Sequence, residues 1–208
     1  MTFATFSTVV GWLAVALGTV TAYAQFSRLR RRGVEGVSLA TWTLFVYLAF
    51  FWIVYGVIVR SWPLVMGSVL ALPLQALILV QLRPWDRRST VVRSFVFLVV
   101  CCAAPALYWG WTGAVLGAGG AGTITRAPQL IALVRVKGAS GVSTGSWSVA
   151  AAVSTLWVIY YVGARLWAVL VVTAVAGGVS LTIAALSGWR HRQMRMHTAP
   201  NCVGRECR

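Results

Sequence analysis

The segments GVEGVSLATW at residues 33–42 and GASGVSTGSW at residues 138–147 share glycine, valine, serine and tryptophan positions at an offset of 105 residues. At the same offset, four further residues match four others: Trp52, Tyr55, Arg60 and Trp62 match Trp157, Tyr160, Arg165 and Trp167. With one residue of slippage, residues 18–21 (GTVT) match residues 122–125 (GTIT), and Gln25 matches Gln129. Matches over this length predict an internal repeat.

The composition determines the class of protein that carries this repeat. Of the 208 residues, 59% are hydrophobic and only 10% are charged, and the mean hydropathy is +0.81. A water-soluble domain needs more charged surface, and a disordered chain has far less apolar content. The sequence therefore predicts an integral membrane protein.

The apolar runs predict the number of membrane crossings. A crossing helix needs about 20 apolar residues. Seven runs qualify, near residues 7–27, 39–59, 62–82, 91–110, 112–134, 146–163 and 165–188. The runs are continuously apolar, whereas barrel strands alternate, so we expect helices. The short loops leave no room for a soluble catalytic domain.

The cations predict the orientation of the chain in the membrane. Of the 18 Lys and Arg residues, fifteen fall in the loops after the first, third and fifth predicted helices or in the C-terminal tail. Cytoplasmic loops accumulate such residues. We therefore expect a multi-pass protein of the cell membrane with its N-terminus outside and its tail in the cytoplasm. Topology accounts for the net charge of +15 without nucleic acid binding.

The repeat and the charge pattern together predict the architecture. Both copies carry a basic loop after their first helix, so both point the same way, and an extra span must lie between them. We expect an all-α integral membrane fold with seven transmembrane helices in a 3+1+3 layout. Its parts are a three-helix repeat at 1–88, a linker helix at 89–110, a second repeat at 111–189 and a basic tail at 190–208.

One group of motifs resembles a known family. Pro128-Gln129 precedes a basic loop containing Gly-Val-Ser, a Trp and then the segment Trp157-Val158-Ile159-Tyr160. This pattern resembles the PQ-loop superfamily. The 3+1+3 layout and the segment WIVYG at residues 52–56 resemble its SWEET and SemiSWEET (MtN3/saliva) sugar transporters. The resemblance implies a passive alternating-access carrier for sugars or related small polar solutes, held between the two bundles.

The resemblance also indicates substrate-binding residues. Trp52 and Trp157 lie deep in the second and sixth predicted helices, where flat indole faces stack on the C–H faces of a sugar ring; packing or an interfacial belt is the alternative interpretation. The family places an amide side chain in the third helix of each repeat, 16 residues after each Trp. Those positions here hold Ser68 and Thr173, which keep a hydroxyl.

Polar residues in the first helix of each repeat are further candidates. Helical spacing puts one set on a single face, and the second set matches it: Gly18, Thr21 and Gln25 in the first repeat, and Gly122, Thr125 and Gln129 in the second. Such a stripe suits a solvated path or, equally, helix–helix contact. Pro128 interrupts the fifth predicted helix, and the resemblance gives it a hinge role, although Ala24 holds the matching place in the first repeat.

Arg126 is the one charge inside a predicted span. Such residues usually face a cavity, where Arg126 would bind an anionic or polar solute or the carbonyls freed by Pro128; the alternative is snorkelling toward the cytoplasm. Two alternative functions follow. One is a PQ-loop carrier of an anionic or amino-acid-like solute that uses Arg126, and the other is a ligand-binding membrane receptor without transport.

Absent residue types narrow the chemistry. Glu35, Asp86 and Glu206 all lie outside the predicted spans, so a carboxylate proton relay has no carrier and uniport is the simpler expectation. No arrangement of nucleophile, histidine and acid is visible, so we expect neither enzyme activity nor a cofactor. Cys202 and Cys207 match no familiar zinc spacing, and no metal is expected. The expected partners are the small solute and membrane lipid, with a homo-oligomer possible.

Overall fold

The computed structural model describes residues 2–32, 38–82, 87–135 and 144–198. Every regular element in these ranges is an α-helix, which confirms the all-α prediction. The helices in chain order are α1 (Phe3–Arg32), α2 (Leu39–Ile58), α3 (Trp62–Gln81), α4 (Arg87–Ile124), α5 (Ala127–Arg135), α6 (Thr144–Ala164) and α7 (Trp167–Thr198).

All of these helices except α5 are long and apolar enough to cross a membrane. The shortest of the six has 20 residues, which span about 30 Å at 1.5 Å per residue and match the hydrocarbon thickness. Large apolar side chains cover the outside of the bundle; Leu107 is 85% exposed and Tyr108 is 82% exposed. A surface of this kind is stable against lipid and not against water, so the chain is a multi-pass membrane protein.

Local sequence signals set several helix ends. Ser38 caps the N-terminus of α2, where its Oγ accepts a hydrogen bond from the Thr41 backbone N–H at 3.4 Å. Pro63 occupies the first turn of α3, where the N–H that proline lacks is not needed. The turns at the other ends of α2 and α6 both place an arginine in the left-handed region, Arg60 at φ 53° and Arg165 at φ 56°.

The turns after α2 and α6 are structurally equivalent and 105 residues apart. In each, a residue in the left-handed region and the next residue bond back to the helix in the Schellman pattern. The matching backbone bonds, donor first, are Arg60–Val57 (3.1 Å) and Arg165–Val162 (3.2 Å), and Ser61–Gly56 (2.8 Å) and Leu166–Tyr161 (3.0 Å). The structure therefore repeats this hairpin at the offset seen in the sequence.

The long helix α4 folds back on itself at Gly110. Its φ of 55° and ψ of −135° are open to glycine because it has no Cβ. The segments before and after it pack closely: a Cβ at Gly113 would overlap the Pro105 carbonyl oxygen, and one at Gly117 would overlap that of Cys101. Since the partner number falls as the glycine number rises, the two halves of α4 run antiparallel. We call residues 87–109 the first half of α4 and residues 111–124 the second half.

The helix contacts form two matching sets. In one, α3 packs against both α1 and α2. In the other, α7 packs against α6, α4 and α5. The sets meet where α1 packs on α6 and where α2 packs on α4. We call the end of the bundle with the Arg60 and Arg165 turns the turn end, and the end with Arg30 and Arg190 the basic end.

The glycines of α4 provide a test of its folded-back shape. We expect Gly117→Ala to destabilise the protein by about 1–3 kcal/mol, because the added Cβ overlaps a backbone carbonyl that cannot move aside alone. Gly120→Ala is the matched control, since its added Cβ meets nothing within 4 Å. Alanine is favoured over glycine in a helix by about 1 kcal/mol, so the control should be neutral or stabilising. Thermal unfolding in detergent measures both, and equal midpoints would contradict the close packing.

Candidate functional site

A cavity of about 570 Å³ lies between the two sets of helices. Its volume falls within the roughly 300–1,000 Å³ typical of small-molecule sites. Nine of the twelve residues that the sequence predicted for the site line it: Gly18, Thr21, Gln25, Trp52, Ser68, Gly122, Arg126, Trp157 and Thr173. The lining includes residues of α1, α2, α3, α4, α6 and α7, so both repeats contribute walls.

Matching contacts from the two repeats bound this cavity. Gly18 of α1 faces Val153 of α6, whose Cγ1 would lie 4.0 Å from an added Cβ. Gly122 of α4 faces Leu48 of α2, whose Cδ1 would lie 3.3 Å from one. The two contacts are equivalent, since Gly18 corresponds to Gly122 at an offset of 104 residues and Leu48 corresponds to Val153 at an offset of 105 residues. The two glycines thus allow close helix approach and also line the cavity.

The predicted tryptophans both line the cavity and are both half-buried. Trp157 stacks on Tyr161, with ring centroids 5.4 Å apart and planes at 16°, so one indole face is covered. Trp52 meets Phe51 and Tyr55 edge-on, at 83° and 78°. Gly67 leaves room for Trp157, whose Cζ2 would lie 3.2 Å from an added Cβ. The pair is therefore equivalent in position and unequal in surroundings.

Two cavity hydroxyls lack a partner among the described residues. Ser68 of α3 and Thr173 of α7 line the cavity, and neither makes a hydrogen bond to any described residue. In contrast, the Thr21 hydroxyl donates to the Leu17 carbonyl of its own helix at 2.7 Å. A hydroxyl without a protein partner can both donate to a ligand and accept from it. Ser68 and Thr173 keep that full capacity.

The predicted stripe on the second repeat is partly wrong. The spacing of Gly122, Thr125 and Gln129 assumes one continuous helix, whereas α4 ends at Ile124 and α5 begins at Ala127. Thr125 lies in the turn between them, bonds to the Gly122 carbonyl at 2.7 Å and is outside the cavity lining. Thr123 lines the cavity instead, as does its counterpart Thr19. The matching Gly-Thr-x-Thr segments contain two threonines each, and the sequence alone could not show which of the two lines the cavity.

The predicted fifth helix is interrupted at residues 125–126, two to three residues before Pro128. The backbone of α5 starts at Ala127, so Pro128 falls in its first turn, where its missing N–H is not needed. The Leu130 N–H bonds to the Arg126 carbonyl at 3.2 Å and closes that turn. The side chains of Pro128 and Gln129 lie outside the described part of the structure, as do Cys202 and Cys207.

Arg126 occupies this break and lines the cavity. Its Nη1 donates to the Ala176 carbonyl and to Ser180 Oγ of α7, the latter at 2.6 Å. Ala176 lies nine residues into α7, about 14 Å from the turn end, and Ser180 lies about 20 Å from it. The guanidinium is therefore held deep within the span, which disagrees with snorkelling to the basic end.

A core to which both sets of helices contribute borders one end of the cavity. It consists of buried residues at the turn end: Tyr55, Leu64, Val115, Tyr160, Tyr161 and Val169. A buried hydrogen bond of 2.7 Å joins Ser61 Oγ to Tyr160 Oη across the two sets of helices. Toward the basic end each set has its own core, one around Ile78 and the other around Ile183. The two sets therefore share a core at the turn end, and a second shared core joins Leu44 and Leu48 of α2 to Ala118 and Ala121 of α4.

Comparison with known proteins adds no assignment. No protein-family model and no curated protein matches this chain. Interpretation of the cavity therefore depends on its own geometry: two half-buried indoles, two hydroxyls without a partner among the described residues and one deep cation, between two matching sets of helices.

The hydrogen bond at the turn end can be tested by removing one hydroxyl. We expect Tyr160→Phe to destabilise the protein by about 1 kcal/mol, because the buried Ser61 hydroxyl loses its partner. Tyr55→Phe is the matched control, since Tyr55 is the repeat counterpart and makes no hydrogen bond to a described residue. Thermal unfolding in detergent compares the two. A loss of equal size in both variants would argue against the bond.

Proposed function

We propose that this chain is a membrane transporter, a passive alternating-access carrier for a sugar or a related small polar solute. The observation that carries the proposal is the cavity of about 570 Å³ between equivalent surfaces of two repeats, with Trp52 and Trp157 in its walls. Rocking of two similar bundles around a fixed central site is how repeat-built carriers expose a solute to each side in turn.

The proposed architecture is the seven-span 3+1+3 layout. The antiparallel halves of α4 are counted as two crossings, and the second half of α4 together with α5 acts as the first helix of the second repeat. The first half of α4 is then the linker. The helix contacts support this assignment, since α3 packs between α1 and α2 as α7 packs between α4 and α6.

The packing at the two ends supports alternating access. A shared core and the Ser61–Tyr160 bond join the repeats at the turn end, and a second shared core joins α2 to α4 further along, whereas the cores around Ile78 and Ile183 are separate. A rocking carrier that is closed on one side has this distribution of contacts. The proposed conformer is therefore closed at the turn end, which we place outside the cell.

Uniport is the proposed mode because the protein has no obvious proton carrier. Its three acidic residues lie outside the described helices, and every predicted span lacks Asp and Glu. A receptor that binds without transport has the same cavity and differs in flux. Flux therefore separates these two functions.

The first experiment is uptake of labelled glucose and sucrose into proteoliposomes, with and without an imposed pH gradient. A uniporter equilibrates its solute and ignores the gradient. Accumulation above equilibrium only with the gradient would contradict uniport. Binding without flux in either direction would instead support the receptor.

The tryptophan pair provides a second test. We expect Trp52→Ala and Trp157→Ala to reduce uptake about tenfold or more, because each removes an aromatic face from the cavity. Trp62→Ala and Trp167→Ala are matched controls; they are also 105 residues apart, and these side chains are 62% and 60% exposed on the outside. Equal loss in all four variants would point to a structural role for tryptophan and against a stacking site.

Orientation can be tested by labelling single cysteines in a variant from which the four native cysteines are removed. Arg165→Cys, in the exposed turn after α6, should react with an impermeant maleimide on intact cells. Arg192→Cys, at the basic end of α7, should react only after permeabilisation. The reverse pattern would invert the proposed topology.

A further inference from the structure

The charge of Arg126 is not balanced by any acidic group that the structure describes. All three acidic residues of the chain lie outside the described ranges, and the other cavity-lining side chains are neutral. The two groups that Arg126 contacts, the Ala176 carbonyl and the Ser180 hydroxyl, are also neutral. An arginine this deep in a membrane protein is costly unless a cavity or an opposite charge accommodates it.

The guanidinium keeps most of its hydrogen-bonding capacity. Of its five N–H donors, the two on Nη1 are used by α7, and Nε and Nη2 make no bond to a described residue. The Nε–H and Nη2–H form the side of the fork that matches a carboxylate in a two-bond arrangement. Because Nη1 is fixed on α7, this side of the fork is already oriented before a ligand binds.

The opposite wall differs from this one in a way that points to a ligand. The counterpart of Arg126 in the first repeat is Ala22, and both line the cavity. The counterpart of Ser180 is Gln75, which also lines the cavity and whose Oε1 is buried without a hydrogen-bond partner. A buried amide oxygen without a partner costs free energy that a donor on a bound solute would recover. One wall thus carries a cation, and the other carries a neutral amide that lies 13 residues into α3, about 20 Å from the turn end.

The depth of these groups fits one small solute. Trp157 lies seven residues before the end of α6, and Thr173 six residues into α7, so both are about 10 Å from the turn end. The acceptors of Arg126 are about 14 and 20 Å from the same end. A ring beside the tryptophans and the free hydroxyls therefore has the guanidinium on its basic side.

We propose that the solute in the cavity is a sugar acid: a hydroxylated ring that lies beside Trp52 and Trp157 and whose single carboxylate is bound by the free side of the Arg126 fork. This inference rests on the proposed carrier function and names its substrate class. A neutral sugar would leave the deep cation without an opposite charge among the described residues, and a dicarboxylate would bring a second charge to a lining in which the structure describes no second cation.

The test uses D-glucuronate, D-glucuronamide and D-glucose as probes on the unaltered protein in proteoliposomes. The first two differ only in the charge of one group, and glucose has a hydroxymethyl there. We expect saturable glucuronate uptake, with glucuronamide and glucose slower by about 10- to 100-fold, the range for charge-assisted hydrogen bonds. Equal uptake of all three would overturn the sugar-acid proposal and leave the carrier intact.

Variants assign the effect to Arg126. Arg126→Gln should reduce glucuronate uptake by about 10- to 100-fold. Arg165→Gln is the charge-matched control, because Arg165 is exposed at the turn end and outside the cavity, and it should retain uptake. Unchanged uptake in Arg126→Gln would overturn the proposal. If Arg126→Gln does not fold, the comparison of the three probes on the unaltered protein still tests whether the site requires a carboxylate.

Binding separates failure of this inference from failure of the carrier function. Thermal stabilisation of the detergent-solubilised protein by glucuronate and not by glucuronamide, without flux, would support the anion site and overturn transport. Stabilisation by none of the three probes, together with no uptake, would overturn both proposals.

Discussion

The hydrocarbon of a bilayer offers no partner to a backbone N–H or C=O, and this constraint shapes the whole structure. Each crossing must bond within itself, so the chain can leave helical geometry only where a turn satisfies its own groups. The Schellman turns at Arg60 and Arg165, the reversal at Gly110 and the break at Thr125–Arg126 are such places. The last of these lies beside the cavity, because backbone that leaves the helix at that depth must be buried in protein or line a cavity. The break therefore sets Arg126 in the cavity wall.

The two sets of helices surround the cavity with matching contacts, and a few positions differ between them in chemistry. The contacts of Gly18 with Val153 and of Gly122 with Leu48 show how well the two halves still match. Ala22 occupies the position in the first half that corresponds to Arg126, and Gln75 occupies the position that corresponds to Ser180. At the turn end, Ser61 bonds to Tyr160, whereas the matching position 166 is a leucine and Tyr55 has no such bond to a described residue. Both halves thus contribute matching helix contacts to the walls of the cavity, whereas its charged side chain comes from the second half alone.

Most of the fold could be predicted because it depends on local signals. Apolar runs of sufficient length predicted the helices that cross the membrane, and Gly110 stands at the boundary predicted between residues 91–110 and 112–134. The offset of 105 residues predicted equivalent positions for Arg60 and Arg165, and both have the same left-handed conformation. The site could be predicted in part, since nine of its twelve candidate residues line one cavity. The prediction for Thr125 was wrong because it assumed one continuous helix over residues 122–129, whereas the helix is interrupted there.

The sequence by itself determined that the chain is helical and has several helices long and apolar enough to span a membrane, and it predicted an internal repeat with pairs of matching residues. Hydropathy, spacing and identity carry this information along the chain. Only the tertiary structure decided which helix faces meet, that Arg126 bonds to α7 some 50 residues away, that Gln75 is left without a partner and that the repeats are joined at the turn end. The physical reason is that lipid is as apolar as the side chains of a membrane helix, so a lipid-facing surface and a buried surface look alike in sequence. In a soluble protein the polar face of a helix identifies its exposed side, whereas both sides of these helices are apolar.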